Sequence, residues 1–308
     1  MSELSVSVAD YLRVRRALGV RLERAEKLLG QFCEFCAEGG VNTLTTEVAL
    51  AWATLPAGSK YWHAQRLSVV RSFARWLAAH DPATEVPPPD ALGSAPTPRA
   101  TPFLYTDAEI AVLMGAADRL RYPISRLTYR TLVGLLATTG MRVGEAIRLD
   151  RDDIDWVRGC LRIERSKFGK SRDVVIHPTT LEALSDYASR RDALLPRPRD
   201  PSFLLSSAGT RLIYCNVSSL FHRLVAWAGL RPRSSRCRPR LHDLRHAFAV
   251  RTLVEWHTAG VDVEARLPAL STYLGHVDPK STYWYLSASP ELLGSALQRV
   301  EGPREVDS

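Results

Sequence analysis

The 308-residue chain is short of the features that mark several common classes of protein. No apolar run approaches the roughly 18 residues that crossing a bilayer requires, so no membrane span is expected. Met1-Ser2-Glu3-Leu4 has no charged stretch followed by an apolar core, so no secretory leader is expected either. Cysteine is scarce and odd in number: Cys33, Cys36, Cys160, Cys215 and Cys237. Such a scattered set fits reduced thiols in a cytoplasmic protein, not a disulfide framework. Cys33 and Cys36 form a C-x-x-C, but within a helical pattern and without a second pair, and they read as small buried hydrophobes. No glycine-rich loop leads into a lysine, no dinucleotide fingerprint is present, and no acidic cluster has metal-ligand spacing. No metal or organic cofactor is therefore expected. Nor does the chain contain an internal repeat.

What is present is ordinary for folded domains: 45% hydrophobic and 24% charged residues, in a chain long enough for two cores. The formal net charge of +8 suggests an anionic partner, although many basic proteins bind no nucleic acid.

Residues 1–81 read as helical. Leu22, Ala25, Leu29, Phe32, Cys33 and Cys36 recur at helical spacing, and Gly39-Gly40 stops the run. Thr46 and Ser59 are positioned to cap the next two helices. On the last of these, Trp62, Val69, Val70, Phe73 and Leu77 share a face, with Arg66, Arg71 and Arg75 largely off it. Arg66 and Arg71 are candidate DNA contacts of a small helical bundle. Residues 82–103 carry seven prolines and read as an extended, semi-stiff linker between two basic domains, able to let them close on opposite sides of a duplex.

The second domain, 104–308, opens on the capping box Thr106-Asp107-Ala108-Glu109. A helix from about Ser125 ends at Gly140. From Ile154 the period changes to two, giving about three antiparallel strands with turns at Trp156–Gly159 and Lys167–Lys170. Helices resume at Pro178, after Asn216, from Leu241, over Pro268–Leu274, after Asp278-Pro279 and over 290–300. The fold class is thus mainly α with a small antiparallel sheet (α+β). Five arginines in Arg231–Arg240, broken by prolines, form an irregular cationic segment in which Arg233, Arg236, Arg238 and Arg240 are candidate phosphate contacts, with Lys170 beside the strand turn.

Chemistry-bearing residues gather in short punctuated segments. His242-Asp243-Leu244-Arg245-His246 puts a histidine and an arginine three apart; Leu274-Gly275-His276 follows, and Tyr285 comes nine residues later. Upstream, Thr139-Gly140-Met141-Arg142-Val143-Gly144-Glu145 supplies a second arginine, and Ser166-Lys167 a lysine at a strand turn. A phosphodiester gains charge on its non-bridging oxygens as it is attacked, and two arginines can hold those oxygens with planar paired bonds. A phenol must lose a proton to attack, for which His242 is the natural acceptor, and a lysine can protonate the leaving sugar oxygen.

In that order and spacing the segments resemble the tyrosine recombinase (phage integrase) family. The resemblance implies a helical core-binding domain at 1–81, a linker and a tyrosine-recombinase-type catalytic domain. It also implies catalytic residues Arg142, Lys167, His242, Arg245, His276 and Tyr285, with Glu145 in support. The activity implied is site-specific DNA breaking and rejoining through a 3′-phosphotyrosyl link and a Holliday junction. Integration, excision or transposition of a mobile element is the expected setting. Double-stranded DNA and a homotetramer on synapsed sites are the expected partners, with no membrane, in the nucleoid-associated cytoplasm. A type IB topoisomerase-like or resolvase enzyme of the same chemistry, and a non-catalytic DNA-binding regulator, are the alternatives. The arginine-rich insertion at 231–240 and the proline-rich linker depart from the family pattern.

Overall fold

Helical spacing of apolar residues builds α1 (Glu3–Ala17), α2 (Glu23–Glu38), α3 (Thr46–Thr54) and α4 (Lys60–Leu77) in the first unit. The computed structural model describes residues 3–20, 22–93, 100–164, 171–276, Thr282 and Tyr285. The chain divides into two units, Met1–Arg99 and Ala100–Ser308. Leu29, Phe32, Trp52, Val70 and Phe73 form the centre of the first core, with the Phe32 and Trp52 rings edge to face at 5.4 Å. Cys33 and Cys36 are buried on α2, and burial pushes the Cys36 thiol up to about 11, which suits packing and not reactivity.

Two details differ from the sequence reading. Thr45, not Thr46, caps α3: Thr45 has extended backbone and its hydroxyl accepts from the Val48 N–H, while the Thr46 N–H donates to Glu85. Arg66 does not face outward. It is only 6% exposed, its guanidinium lies 3.7 Å from the Trp52 ring centre, and it donates to the Trp52 carbonyl. The neighbouring helix supplies both partners, so a helical wheel of α4 alone could not place it. Arg71 is also engaged within the unit: it donates to the carbonyls of Pro87, Pro88 and Pro89. Glu85 N–H bonds to Leu44, and Ala91 and Leu92 pack on the core, so residues 82–93 are fastened to the bundle.

In the second unit, Thr106 and Glu109 form the expected capping box of α5 (Asp107–Ala116). Helix α6 (Pro123–Thr139) is its axis. Leu127, Leu132, Val133, Leu135 and Leu136 are all buried, and α5, α8 (Pro178–Leu194) and α10 (Asp243–Thr258) pack around it. Helix α7 (Val143–Arg148) leads into strands β1 (Ile154–Asp155), β2 (Cys160–Ile163) and β3 (Arg172–Val175), antiparallel in the order β1-β2-β3. Leu161 lies opposite both Ile154 and Val174, so the inward residues of all three strands meet the core. Helix α9 (Tyr214–Trp227) starts two residues ahead of Asn216. Helix α11 (Val263–Leu274) starts at a cap from Asp262, placing Pro268 inside it. Among the described residues no helix is long and apolar enough to cross a membrane. The segments after Asp278-Pro279 and over 290–300 lie outside the described residues.

The arginine-rich stretch 231–240 is not a free loop. Cys237 and Pro239 are buried, the Tyr105 hydroxyl donates to the Arg240 carbonyl, and Arg233 sits 4.2 Å over the Phe103 ring while pairing with Glu109. The stretch is thereby bound to the segment that leads into α5.

Arg66→Ala should destabilise the first unit by about 2–4 kcal/mol, since it removes a charged hydrogen bond and a buried cation–π contact. Exposed Arg75→Ala should change it by less than about 0.5 kcal/mol. Urea unfolding, read by hydrogen exchange in α3 and α4, measures the difference.

Candidate active site

Two helix ends meet at the site. Helix α6 closes on Gly140 in the left-handed region (φ 60°), and α11 closes on Gly275 (φ 69°). At either position a side chain would strain the backbone and force a neighbour to shift. A Cβ on Gly140 would lie 2.4 Å from Phe248, and one on Gly275 would lie 2.9 Å from the Arg172 guanidinium carbon. The terminal carbonyls of such helices lack intrahelical partners and carry the negative end of the helix dipole. Arginines take them up here. Arg245, in the first turn of α10 and 2% exposed, donates to Gly140 and Leu274 carbonyls, both at 2.8 Å. Arg142, which begins α7, donates to the Gly275 carbonyl at 2.8 Å. Arg172, which begins β3, donates to the Tyr273 carbonyl at 2.8 Å.

Glu145 joins two of these arginines. Its oxygens accept from the Arg142 side chain and backbone N–H, each at 2.9 Å, and from Arg172 at 3.1 and 2.9 Å. Burial alone would raise this carboxyl, but the Arg172 bonds, the Arg142 N–H and both positive charges hold it at about 2. One carboxylate facing Arg142, Arg172 and Arg245 leaves the site with surplus positive charge.

The histidines respond to that surplus. Desolvation, then Arg245, Arg142 and Arg240, depress His242 to about 4; its other side is open to solvent, which tempers the effect. Desolvation and the same arginines, with His242 and Arg172, bring His276 to about 4. Both imidazoles are therefore neutral near pH 7. His276 Nδ1 is hydrogen-bonded to Thr282 Oγ1 at 2.7 Å, which leaves Nε2 as its other polar atom. Tyr285 is 2% exposed, and its hydroxyl is hydrogen-bonded to His246 Nδ1 at 3.1 Å. His242 lies edge-on to His246, with ring centres 4.8 Å apart, and His276 is near parallel to Tyr285 at 6.1 Å.

Arg142, Glu145, His242, Arg245, His276 and Tyr285 are thus brought together within the second unit. Lys167 and Lys170 lie outside the described residues. Among the anticipated phosphate contacts, Arg233 is paired with Glu109 and Arg240 with buried Asp243, whereas Arg236 and Arg238 are exposed. Arg172, His246 and Asp243 carry no role in the sequence reading. His246 was within reach, four residues beyond His242 on the same helix. Arg172 offered no local signal, because its partners Glu145 and Tyr273 are 27 and 101 residues away. Tyr273 is set apart from Tyr285: its hydroxyl donates to the Val175 carbonyl, and burial raises it to about 12.

This pairing of a helical bundle with a mixed unit that gathers arginines and histidines around a tyrosine defines the class. The phage integrase family profile matches residues 104–291. A relative from Sinorhizobium fredii with the provisional name integrase/recombinase y4rB is 42% identical, over 98% of both chains. Among solved structures, the Tn1549 transposon integrase in complex with transposon right end DNA superposes with a TM-score of 0.66 at 15% identity, covering 97% of this chain and 99% of that one. A lambda integrase tetramer bound to a Holliday junction gives 0.60 at 19% identity, covering 92% of this chain and 76% of that one. The chain belongs to the phage integrase family, whose members are tyrosine recombinases that break and rejoin DNA.

Acidification should destabilise the fold between about pH 6.5 and pH 4. There the unfolded chain binds protons on His242 and His276 that the folded chain, with both pKa values near 4, refuses. Glu145, lowered from 4.5 to about 2, contributes stability that is kept above about pH 5 and lost as pH falls from about 4.5 towards 2. Urea midpoints should therefore fall from pH 7 to pH 5, and His276→Gln should reduce the drop. Gly140→Ala should cost about 2–4 kcal/mol through overpacking on Phe248 and the left-handed backbone, read by the same unfolding curves.

Proposed function

We propose that this protein is a site-specific recombinase of a mobile element that cleaves one DNA strand with Tyr285. The observation that carries this reading is the placement of the Tyr285 phenol beside His246 and His276, in a cluster with Arg142 and Arg245. The phenolic oxygen attacks the phosphorus, the bond to the 5′ oxygen breaks, and a 3′-phosphotyrosyl link forms. The phenolic proton passes to the imidazoles beside it, His246 in contact and His242 behind. Arg142 and Arg245 keep N–H groups beyond those given to carbonyls and Glu145, and these hold the non-bridging oxygens. His276 donates through Nε2 to the same phosphate. Lys167 protonates the departing 5′ oxygen. Attack by the 5′ hydroxyl of a partner duplex reverses the step, so bond energy is conserved and no nucleotide is consumed.

The transposon-end complex of the Tn1549 integrase and the Holliday-junction tetramer of lambda integrase support double-stranded DNA as substrate, a mobile element as setting and a tetramer as the working assembly. Arg236 and Arg238 contact phosphates alongside, and the protein works in the nucleoid-associated cytoplasm.

A nicked suicide duplex built on a footprinted target sequence tests the reading. Wild type should become covalently attached with or without EDTA, and Tyr285→Phe should form no adduct. An adduct that persists in Tyr285→Phe would transfer the role to another tyrosine. Arg245→Lys, which keeps charge but loses the planar fork, should cut cleavage by at least about 100-fold while DNA affinity changes by less than about threefold.

A further inference from the structure

We propose that Arg172 is a positioning residue for strand cleavage, which sets Arg142 through the shared Glu145 carboxylate and sets His276 by holding the end of α11. The proposal rests on the roles given above to Arg142, His276 and Tyr285.

The geometry separates Arg172 from the arginines around it. Its fork meets both oxygens of Glu145, at 3.1 and 2.9 Å, and its Nε donates to the Tyr273 carbonyl. Its side chain is 10% exposed, against 27% for Arg142. Arg172 is thus directed at protein on every edge, while Arg142 stays partly open to a ligand.

The sharing of Glu145 gives Arg172 its effect. Oε1 accepts from both guanidiniums, and Oε2 accepts from Arg172 and from the Arg142 backbone N–H. With Arg172 occupying the carboxylate, Arg142 makes one side-chain bond to it and turns its other nitrogen to the Gly275 carbonyl. Without Arg172, a buried carboxylate would face Arg142 alone and draw its fork into a two-bonded pair. That pair would take away the donors a phosphate needs. A lysine cannot fill the place, because it lacks three donors in one plane.

A second contact links Arg172 to His276. The guanidinium lies against Gly275, so close that a Cβ there would fall 2.8 Å from its nearest nitrogen. Together with the Tyr273 bond, this fixes the backbone that enters His276. Arg172 thus ties β3 to the end of α11, beside the bond from the Tyr273 hydroxyl to the Val175 carbonyl, and alone of the two links reaches Glu145.

The test uses the full chain on the suicide duplex, under single turnover with saturating enzyme. Arg172→Ala should cleave on the order of 10- to 100-fold more slowly, the effect expected of misplacing a reacting group by about an ångström. DNA affinity should stay within about threefold. Charged groups facing Glu145 are Arg142 from the start of α7, Arg172 from β3 and Arg245 from α10, with His242 and His276 neutral nearby. Loss of Arg172 leaves desolvation less opposed, so Glu145 should titrate at higher pH. Arg172→Ala should therefore regain rate as pH falls from about 7 to 5, because protonated Glu145 releases the Arg142 fork, a recovery that wild type lacks. Added guanidinium at millimolar concentration should restore part of the rate. Arg172→Lys, which keeps the charge, should fold and still cleave slowly.

Wild-type cleavage by Arg172→Lys or Arg172→Ala overturns the proposal. So does a slow Arg172→Ala enzyme with neither the recovery at lower pH nor guanidinium rescue, since a merely structural loss would look that way. Absence of an adduct from wild type would instead sink the assignment of Tyr285, so the two failures are distinct.

Discussion

The site depends on one arrangement: a buried guanidinium, Arg245, bonded at once to the last carbonyls of two different helices. Neither α6 nor α11 can satisfy its own end, and each stops on a glycine in a conformation that leaves carbonyls pointing outward. Arg245 joins those ends, and Arg142 and Arg172 complete the capping of α11. The cations assigned to the phosphodiester in the proposed reaction are therefore part of what closes the fold. Their orientation is set by backbone, which moves less than side chains do.

Concentrating guanidiniums in this way has an electrostatic cost, and the surrounding groups show how it is met. Glu145 neutralises part of the charge and remains ionised in spite of its burial. His242 and His276 lose affinity for protons and stay neutral. Asp243, buried beside Arg240, is pushed up by desolvation even with two bonds from that arginine. The remaining positive potential suits a bound anion, and DNA would supply the compensation the protein withholds from itself.

The sequence reading reached different depths in different places. The helical unit, the three-stranded sheet and the cluster of Arg142, Glu145, His242, Arg245, His276 and Tyr285 were legible because each lies in a short segment whose spacing or punctuation carries the information. Arg66 was misplaced because its partner, Trp52, belongs to another helix, and hydrophobic periodicity treats any arginine as outward-facing. Arg233 and Arg240 looked like free cations because Glu109 and Asp243 become their partners only on folding. The cap of α3 slipped by one because Thr45 and Thr46 are chemically equivalent, and Glu85, 39 residues beyond Thr46, claims the second one's N–H. Arg172 was invisible for the same reason on a larger scale.

Tyr285 is sealed to 2% exposure among Leu267, Leu270 and Leu274, with His246 on its hydroxyl. A phenolic oxygen shut away in this manner is out of reach of solvent, free phosphate esters and stray electrophiles. In the role proposed for it, the phenol would stay latent in the resting protein until bound DNA reached it. On that reading, the packing that stabilises the last described part of the chain would double as a safety catch on strand breakage.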